Sequence, residues 1–261
     1  MRNADGFVDF RGVTKSFRAM SGVDYHAVRD FHMQIGEHEF FCLLGPTGCG
    51  KTTVLNMLAG FEPPSAGSIT VNGQPIAGTG ADRAVVFQSQ DSLYPWLTAV
   101  ENVEFGLRMK GLPKALRVAR ATEYMRLVGL AGQERKHPNE LSGGMKQRIQ
   151  IARVLANSPK MLLMDEPFAA LDAQTRSLMQ QQLRRIWLQE QLCVLFITHD
   201  IDEALTLGTR VGVMRAGPGS AIKGIVEVQL GDERDRTNQN FIDHYRQVYE
   251  MIREEVQRAH H

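Results

Sequence analysis

Apolar and polar residues alternate at the start of the chain. Phe7-Val8-Asp9-Phe10 and Val28-Arg29-Asp30-Phe31-His32-Met33 follow a period near two, which predicts half-exposed strands. Phe40–Leu44 is apolar throughout and predicts a strand buried on both faces. A glycine-rich turn follows, then an apolar helix over Lys51–Ala59. Ile69–Val71 and Val85–Phe87 are short strand candidates around a turn at Asn72-Gly73. From Leu93 to about Pro138 the spacing turns helical, as in Ala119–Val128, with glycine and proline breaks.

After Leu141 helices and buried strands alternate again. The pattern predicts helices over Ser142–Ala156 and Thr175–Gln191, and strands over Met161–Asp165 and Val194–Thr198. Met179, Leu183, Ile186 and Trp187 share one face of the longer helix. An amphipathic helix is expected over about Phe241–Val256. Strands that alternate with helices imply an α/β fold with a mostly parallel sheet covered on both sides. No internal repeat or low-complexity linker divides the chain, so one α/β domain with a helical insertion is expected.

The composition, 43% hydrophobic and 23% charged, supplies an ordinary core and argues against disorder. A net charge of +1 gives no electrostatic footprint for nucleic acid, which needs clustered cations. No apolar run approaches the roughly 18 residues that span a bilayer. Met1–Phe10 lacks the apolar stretch of a signal peptide. Cys42, Cys49 and Cys193 are spaced for neither a disulfide framework nor a zinc site, which fits a reducing compartment.

The glycine-rich turn carries chemistry. Gly45-Pro46-Thr47-Gly48-Cys49-Gly50-Lys51-Thr52 fits the phosphate-loop pattern G-x-x-x-x-G-K-[ST]. Its glycines let successive amides curl around phosphate oxygens, and the helix it opens adds a positive end. Lys51 can reach the β and γ phosphates of ATP, and the Thr52 hydroxyl suits Mg²⁺. Thr53 extends the nucleotide-binding set, whereas Cys49 reads as a small filler. A chance match is on the order of one in a hundred for a chain of this length. Met161–Met164 then ends in Asp165-Glu166, a buried strand delivering two carboxylates. Asp165 can hold the magnesium shell and Glu166 can polarise the attacking water.

Leu141-Ser142-Gly143-Gly144-Met145-Lys146-Gln147-Arg148 resembles the signature sequence of ATP-binding cassette (ABC) proteins. Physically it is a second anion cradle at a helix start. In that family it serves the ATP held by a partner subunit, so Ser142, Gly143, Gly144 and Gln147 imply a dimer with two shared sites. Further matches are Gln88, the glutamine joining the metal site to the transport machinery, and Asp172 in the loop that crosses the dimer interface. His199 matches the switch histidine that senses the γ-phosphate. The family usually stacks a tyrosine on adenine; Phe17 occupies that place here, with Tyr25 as a possible substitute.

The resemblance implies a P-loop NTPase core, an N-terminal antiparallel β subdomain and a helical subdomain at about 93–157 that carries the signature. The cassette would cover residues 1–230, followed by a helical tail over 231–261. Ala81–Gln88, Leu93–Thr98 and Val213–Gly219 look most like importer ATPases for nitrate, taurine and aliphatic sulfonates. The implied partners are a second cassette, in the simplest case an identical one, a transmembrane permease and, indirectly, a substrate-binding protein. The implied location is the cytoplasmic face of the inner membrane. Tyr94 and Trp96 fit either core packing or the groove for a permease helix. Rival readings are an exporter or lipid-transport cassette and a soluble ATPase of ribosomes or DNA. A single cassette without a heptad run disfavours the last.

Overall fold

The computed structural model describes residues 6–18, 24–87, 92–231 and 234–259. Strands β1 (Val8–Arg18), β2 (Asp24–Ile35), β4 (Ala66–Val71) and β5 (Gln74–Pro75) form an antiparallel sheet in the order β2-β1-β4-β5. The second sheet contains β3 (Phe40–Leu44), β6 (Arg83–Val86), β7 (Met161–Asp165), β8 (Cys193–Ile197), β9 (Arg210–Met214) and β10 (Ile222–Glu227). Its order is β10-β9-β3-β8-β7-β6; all neighbours run parallel except β10, antiparallel at the edge.

The continuous apolar runs of β3, β7 and β8 follow from this topology, because the sheet is covered on both faces. Side chains alternate across a strand. Phe41, Leu43, Met161, Leu163, Leu195 and Ile197 point into one core, shared with the antiparallel sheet and helix α1 (Lys51–Ala59). Phe40, Cys42, Leu44, Leu162, Met164, Val194 and Phe196 point into the other. Helices α2 (Ala99–Met109), α3 (Lys114–Leu127), α4 (Gly143–Leu155), α5 (Ala173–Glu190) and α6 (Ile201–Leu207) contribute to that second core. Phe40, Phe41 and Phe196 are fully buried. Each fully buried large apolar side chain of this kind contributes about 1.5–3 kcal/mol to the driving force for the fold.

Helices α2, α3 and α4 pack on one another. A capping box between Thr98 and Glu101 fixes the start of α2. Asn102, wholly buried, accepts from the Tyr94 amide at 2.8 Å and donates to the carbonyls of Tyr94, Leu97 and Thr98, which shapes the loop before the helix. Helix α7 (Gln239–Ala259) closes the far side, burying Phe241 and Val248. Its Glu255 is 1% exposed; it accepts from the Ala216 amide at 2.9 Å and pairs with Lys223 at 3.0 Å. Among the described residues, no helix is long and apolar enough to cross a membrane.

The periodicity predicts β3, α1 and β7 at the bounds observed, and α4, α5 and β8 within one or two residues. It offers no assignment for β9, β10 and α6. Strand β9 contains a glycine in a five-residue run, and edge strand β10 mixes Lys223, Gly224 and Glu227 into its pattern. The paired hydrogen bonds of the sheet, more than local preference, hold these segments extended.

Candidate functional site

Strands β3, β8 and β7 are adjacent and parallel, so their carboxyl ends open on one edge of the sheet. In such sheets that edge is where ligands bind. The end of β3 leads into the Gly45–Thr52 loop, β7 ends in Asp165-Glu166, and β8 ends before Thr198-His199. Backbone bonds join the three: the Glu166 amide donates to Ile197 O at 3.0 Å, and the Thr198 amide donates to Leu43 O at 3.3 Å. The cleft they border has a volume of about 560 Å³ and is lined by Thr47, Gly48, Gly50, Lys51, Thr52, Thr53, Asp165, Glu166 and His199, with Phe17, Tyr25 and Ala27 opposite.

Two glycines make the loop possible. Gly50, the residue before α1, has φ of 94°, and a Cβ there would lie 2.8 Å from Ala27 O. At Gly45 a Cβ would lie 2.7 Å from Cys49 Sγ. The loop therefore wraps tightly and opens α1 with no side-chain cap, leaving the first helical amides without an intrahelical partner. Cys49 is 1% exposed, and burial pushes its thiol up despite the neighbouring Lys51 ammonium, so it packs and is not a nucleophile. Lys51 is buried; its Nζ donates to Gly45 O at 2.7 Å and Pro46 O at 2.9 Å. A buried, carbonyl-bound ammonium beside free helix amides is a site built for phosphate.

Asp165 and Thr52 meet directly: Thr52 Oγ1 donates to Asp165 Oδ2 at 2.8 Å. Burial raises the Asp165 carboxyl above its ordinary value; the Thr52 bond opposes this, and Glu166 adds to it. A hydroxyl and a carboxylate at the foot of a phosphate loop are the hard oxygen donors that fit Mg²⁺, which takes one or two protein oxygens alongside substrate phosphates. Glu166 lies next along the chain in left-handed backbone, φ 46°. Such a conformation costs about 1–3 kcal/mol in a non-glycine residue and is characteristic of functional sites. Its Oε1 lies 3.1 Å from His199 Nδ1.

The two aromatic residues expected on the adenine side sit on adjoining strands. Phe17 of β1 pairs with Tyr25 of β2, and both line the cleft, half exposed. Lys15 Nζ stands 4.9 Å over the Phe17 ring. Ala27 was not anticipated; it enters through its backbone beside Gly50, and no residue type announces such a contact.

Ser142, Gly143 and Gly144 do not border this cleft. Ser142 is exposed and caps α4, accepting from the Met145 amide at 3.3 Å. Gln147, grouped with them by motif, is 1% exposed and donates to Phe87 O at 3.3 Å. It is turned inward, away from the surface Ser142 occupies. Helical phase carries that signal, because Gln147 shares its face with Ile151 and Val154. Asp172 caps α5, accepting from the Thr175 amide at 2.9 Å; that bond holds its carboxyl below the usual range. Gln88 lies outside the described residues. Tyr94 packs against Phe105 at 4.6 Å, whereas Trp96 is 70% exposed.

A tight phosphate loop, a hydroxyl–carboxylate pair and a glutamate–histidine pair on the carboxyl edge of a parallel sheet define a P-loop nucleoside triphosphatase. The chain belongs to the ABC transporter family, whose model matches residues 28–169. It is 46% identical over 244 residues to an uncharacterized ABC transporter ATP-binding protein of Methanocaldococcus jannaschii, covering 94% of this chain and 90% of that one. It is 45% identical over 215 residues to the nitrate import ATP-binding protein NrtD of Synechocystis (82% and 80% covered). It is 48% identical over 196 residues to the taurine import ATP-binding protein TauB of Burkholderia pseudomallei (75% of each). A dimeric, post-hydrolysis structure of the ATP-binding cassette MJ0796 bound to ADP and Pi superposes with a TM-score of 0.77 at 30% identity, covering 86% of this chain and all of that one.

Proposed function

We propose that this chain is the ATP-hydrolysing subunit of a bacterial importer, acting as a dimer beneath a separate permease at the cytoplasmic face of the inner membrane. The observation that carries the reading is the cleft itself. It gathers Lys51, Thr52, Asp165, Glu166 and His199, while Ser142-Gly143-Gly144, the other half of a cassette's nucleotide site, lies outside it. A second copy is needed to bring that half to the first, and the dimeric, ADP-bound cassette it resembles supports this. ATP joining the two subunits closes the pair, because only the closed state satisfies both contacts.

Lys51 and the loop amides hold the β and γ phosphates. Mg²⁺, when bound, neutralises phosphate charge and polarises phosphoryl oxygens. Thr52 and Asp165 would hold it, joined by Gln88. Glu166 orients the attacking water and takes up its proton, and His199 fixes the Glu166 carboxylate while reaching toward the γ-phosphate. Phe17 and Tyr25 supply faces for adenine. Asp172 serves the contact between the two subunits.

Exposed aromatic side chains support a permease contact. Phe61 and Phe87 stack at 5.8 Å and both are exposed, as is Trp96. The solute is a small anion of the nitrate, taurine or alkanesulfonate kind, in line with the relatives named for nitrate and taurine import. That relatives named for different solutes match at nearly equal identity argues that the cassette does not choose among them. The permease and a substrate-binding protein do.

ATP turnover by the purified chain, alone and with its permease in lipid, tests the proposal beside Glu166→Gln. Stimulation by the permease and loss with Glu166→Gln are expected. A Glu166→Gln chain as fast as wild type would overturn the catalytic assignment, and indifference to the permease would overturn the transport assignment.

A further inference from the structure

His199 has little to hold it. Its side chain is 69% exposed and, among the described residues, its one polar contact is the 3.1 Å pairing with Glu166. Its position is therefore set by the backbone on either side. Beneath it, three polar residues that no phosphate motif includes are almost wholly buried: Gln180 (2% exposed), Thr198 (2%) and Glu203 (5%). Burying a carboxylate without full pairing is destabilising, so an apolar residue at 203 would serve stability better. Burial does push the Glu203 carboxyl up from its ordinary value.

The bonding explains the choice. The Thr198 hydroxyl accepts from the Asp200 amide at 3.0 Å. The Glu203 amide donates to Asp200 Oδ1 at 3.1 Å. Thr198, Asp200 and Glu203 are thus linked in a run of hydrogen bonds, and the residue enclosed between its first two members is His199. Gln180 of α5 extends the run, its Nε2 donating to Glu203 Oε1 at 3.0 Å. Gln180 Oε1 in turn accepts from Arg236, in the segment leading to α7, at 3.4 Å. A cavity of about 90 Å³, bordered by Thr198, His199, Asp200 and Glu203 on one side of the chain and by Glu166 and Arg176, leaves His199 without close packing there.

We propose that the hydrogen-bonded run Thr198–Asp200–Glu203 is a positioning device for His199, held by Gln180 and tied through Arg236 to the C-terminal segment. The inference rests on the reading of His199 as the residue that fixes Glu166 and meets the γ-phosphate. Neither Thr198 nor Glu203 lines the nucleotide cleft, so neither contributes to holding ATP. Their effect belongs in the hydrolytic step.

The test is steady-state ATP turnover of the full chain carrying Thr198→Val, Thr198→Ser, His199→Ala and the double substitution Thr198→Val with His199→Ala. Thr198→Val keeps the shape and removes the hydroxyl. It is expected to lower kcat about ten- to a hundredfold, the scale of a misplaced catalytic group, while KM for ATP stays within about threefold. Thr198→Ser restores the hydroxyl and most of kcat. On the His199→Ala background, Thr198→Val adds less than about twofold, because a residue that acts through another loses its effect when the other is gone.

Wild-type kcat in Thr198→Val, a parallel loss of kcat and ATP affinity, or full additivity in the double variant would each overturn the proposal. If His199→Ala turns over normally, the underlying reading of the site falls and takes the inference with it. If His199→Ala is slow and Thr198→Val is not, only the inference falls. Should Thr198→Val fail to fold, Glu203→Gln reads the same split: one carboxylate oxygen becomes a donor group beside the Gln180 amide donor, at unchanged volume.

Discussion

Helices α1 and α4 both begin at a glycine-bearing turn, and they present their first amides in opposite ways. At α1 the residue before the helix is Gly50, which has no side chain with which to cap, so the amides stay available and the loop curls over them. Around that start stand a buried lysine, two carboxylates and a histidine. At α4 the Ser142 hydroxyl takes the Met145 amide for itself, and the turn lies exposed with no such wall. The first helix start is a nearly finished site. The second, on the reading proposed above, is a pre-shaped surface that would become part of one only when another subunit is laid against it. Equal-looking motifs thus differ in what they lack.

That difference can be broken from the α1 side with the largest effect. Glu166→Gln keeps the loop and should lower turnover by roughly a hundred- to ten-thousandfold, the range for a lost general base, in a phosphate-release assay. The same variant should still bind ATP and, unable to discharge it, gather into dimers when ATP is added, as light scattering would report. Ser142→Arg attacks only the other half. In the Glu166→Gln background it should abolish ATP-driven dimerisation yet leave fluorescent-nucleotide binding to the single chain within about twofold, since Ser142 does not touch its own cleft. Equal loss of both would mean that the two helix starts are one site.

Gly50→Ala probes the cradle's shape. The added methyl meets Ala27 O in a left-handed backbone, a strain of roughly 1–3 kcal/mol. Calorimetric titration with ATP should show about ten- to a hundredfold weaker binding, at nearly wild-type secondary structure by circular dichroism. The smallest effect is expected from Ser142→Ala, which removes only the cap: about 1 kcal/mol in urea unfolding of the chain without nucleotide. No loss there would show that Ser142 is kept for a ligand and not for its helix.

The α1 site was legible because its chemistry is packed into contiguous residues. Gly45–Thr52 and Asp165-Glu166 each sit at the end of an apolar run, and a strand buried on both faces cannot hide its pattern. His199 was legible by its place one strand further on. What escaped depends on pairing across the sheet. Whether Phe17 or Tyr25 faces the nucleotide turns on the register of β1 against β2, which shifts at irregularities between Phe10 and Ser16; the strands bring both to the cleft. Gln147 was grouped by motif with Ser142, although the phase of its helix turns it inward. The hydrogen-bonded run of Thr198, Asp200 and Glu203 escaped because common residue types become a device only through the bonds that join them in the fold. Its tie to Arg236 comes from a segment more than thirty positions away in the chain.

The order of the six-stranded sheet has a consequence for how the molecule comes into being. Strand β3, which aims the phosphate loop, pairs with neither of its neighbours in sequence. Phe40 lies opposite Val194, and Phe41 opposite Arg210. Contacts that distant are entropically slow to close and set the pace of folding. A growing chain halted before Cys193 would contain every atom of the phosphate loop and neither of the strands that flank β3. Nucleotide, which favours only the assembled cradle, would then act as a ligand for the last stage of folding, drawing the late strands onto the early one.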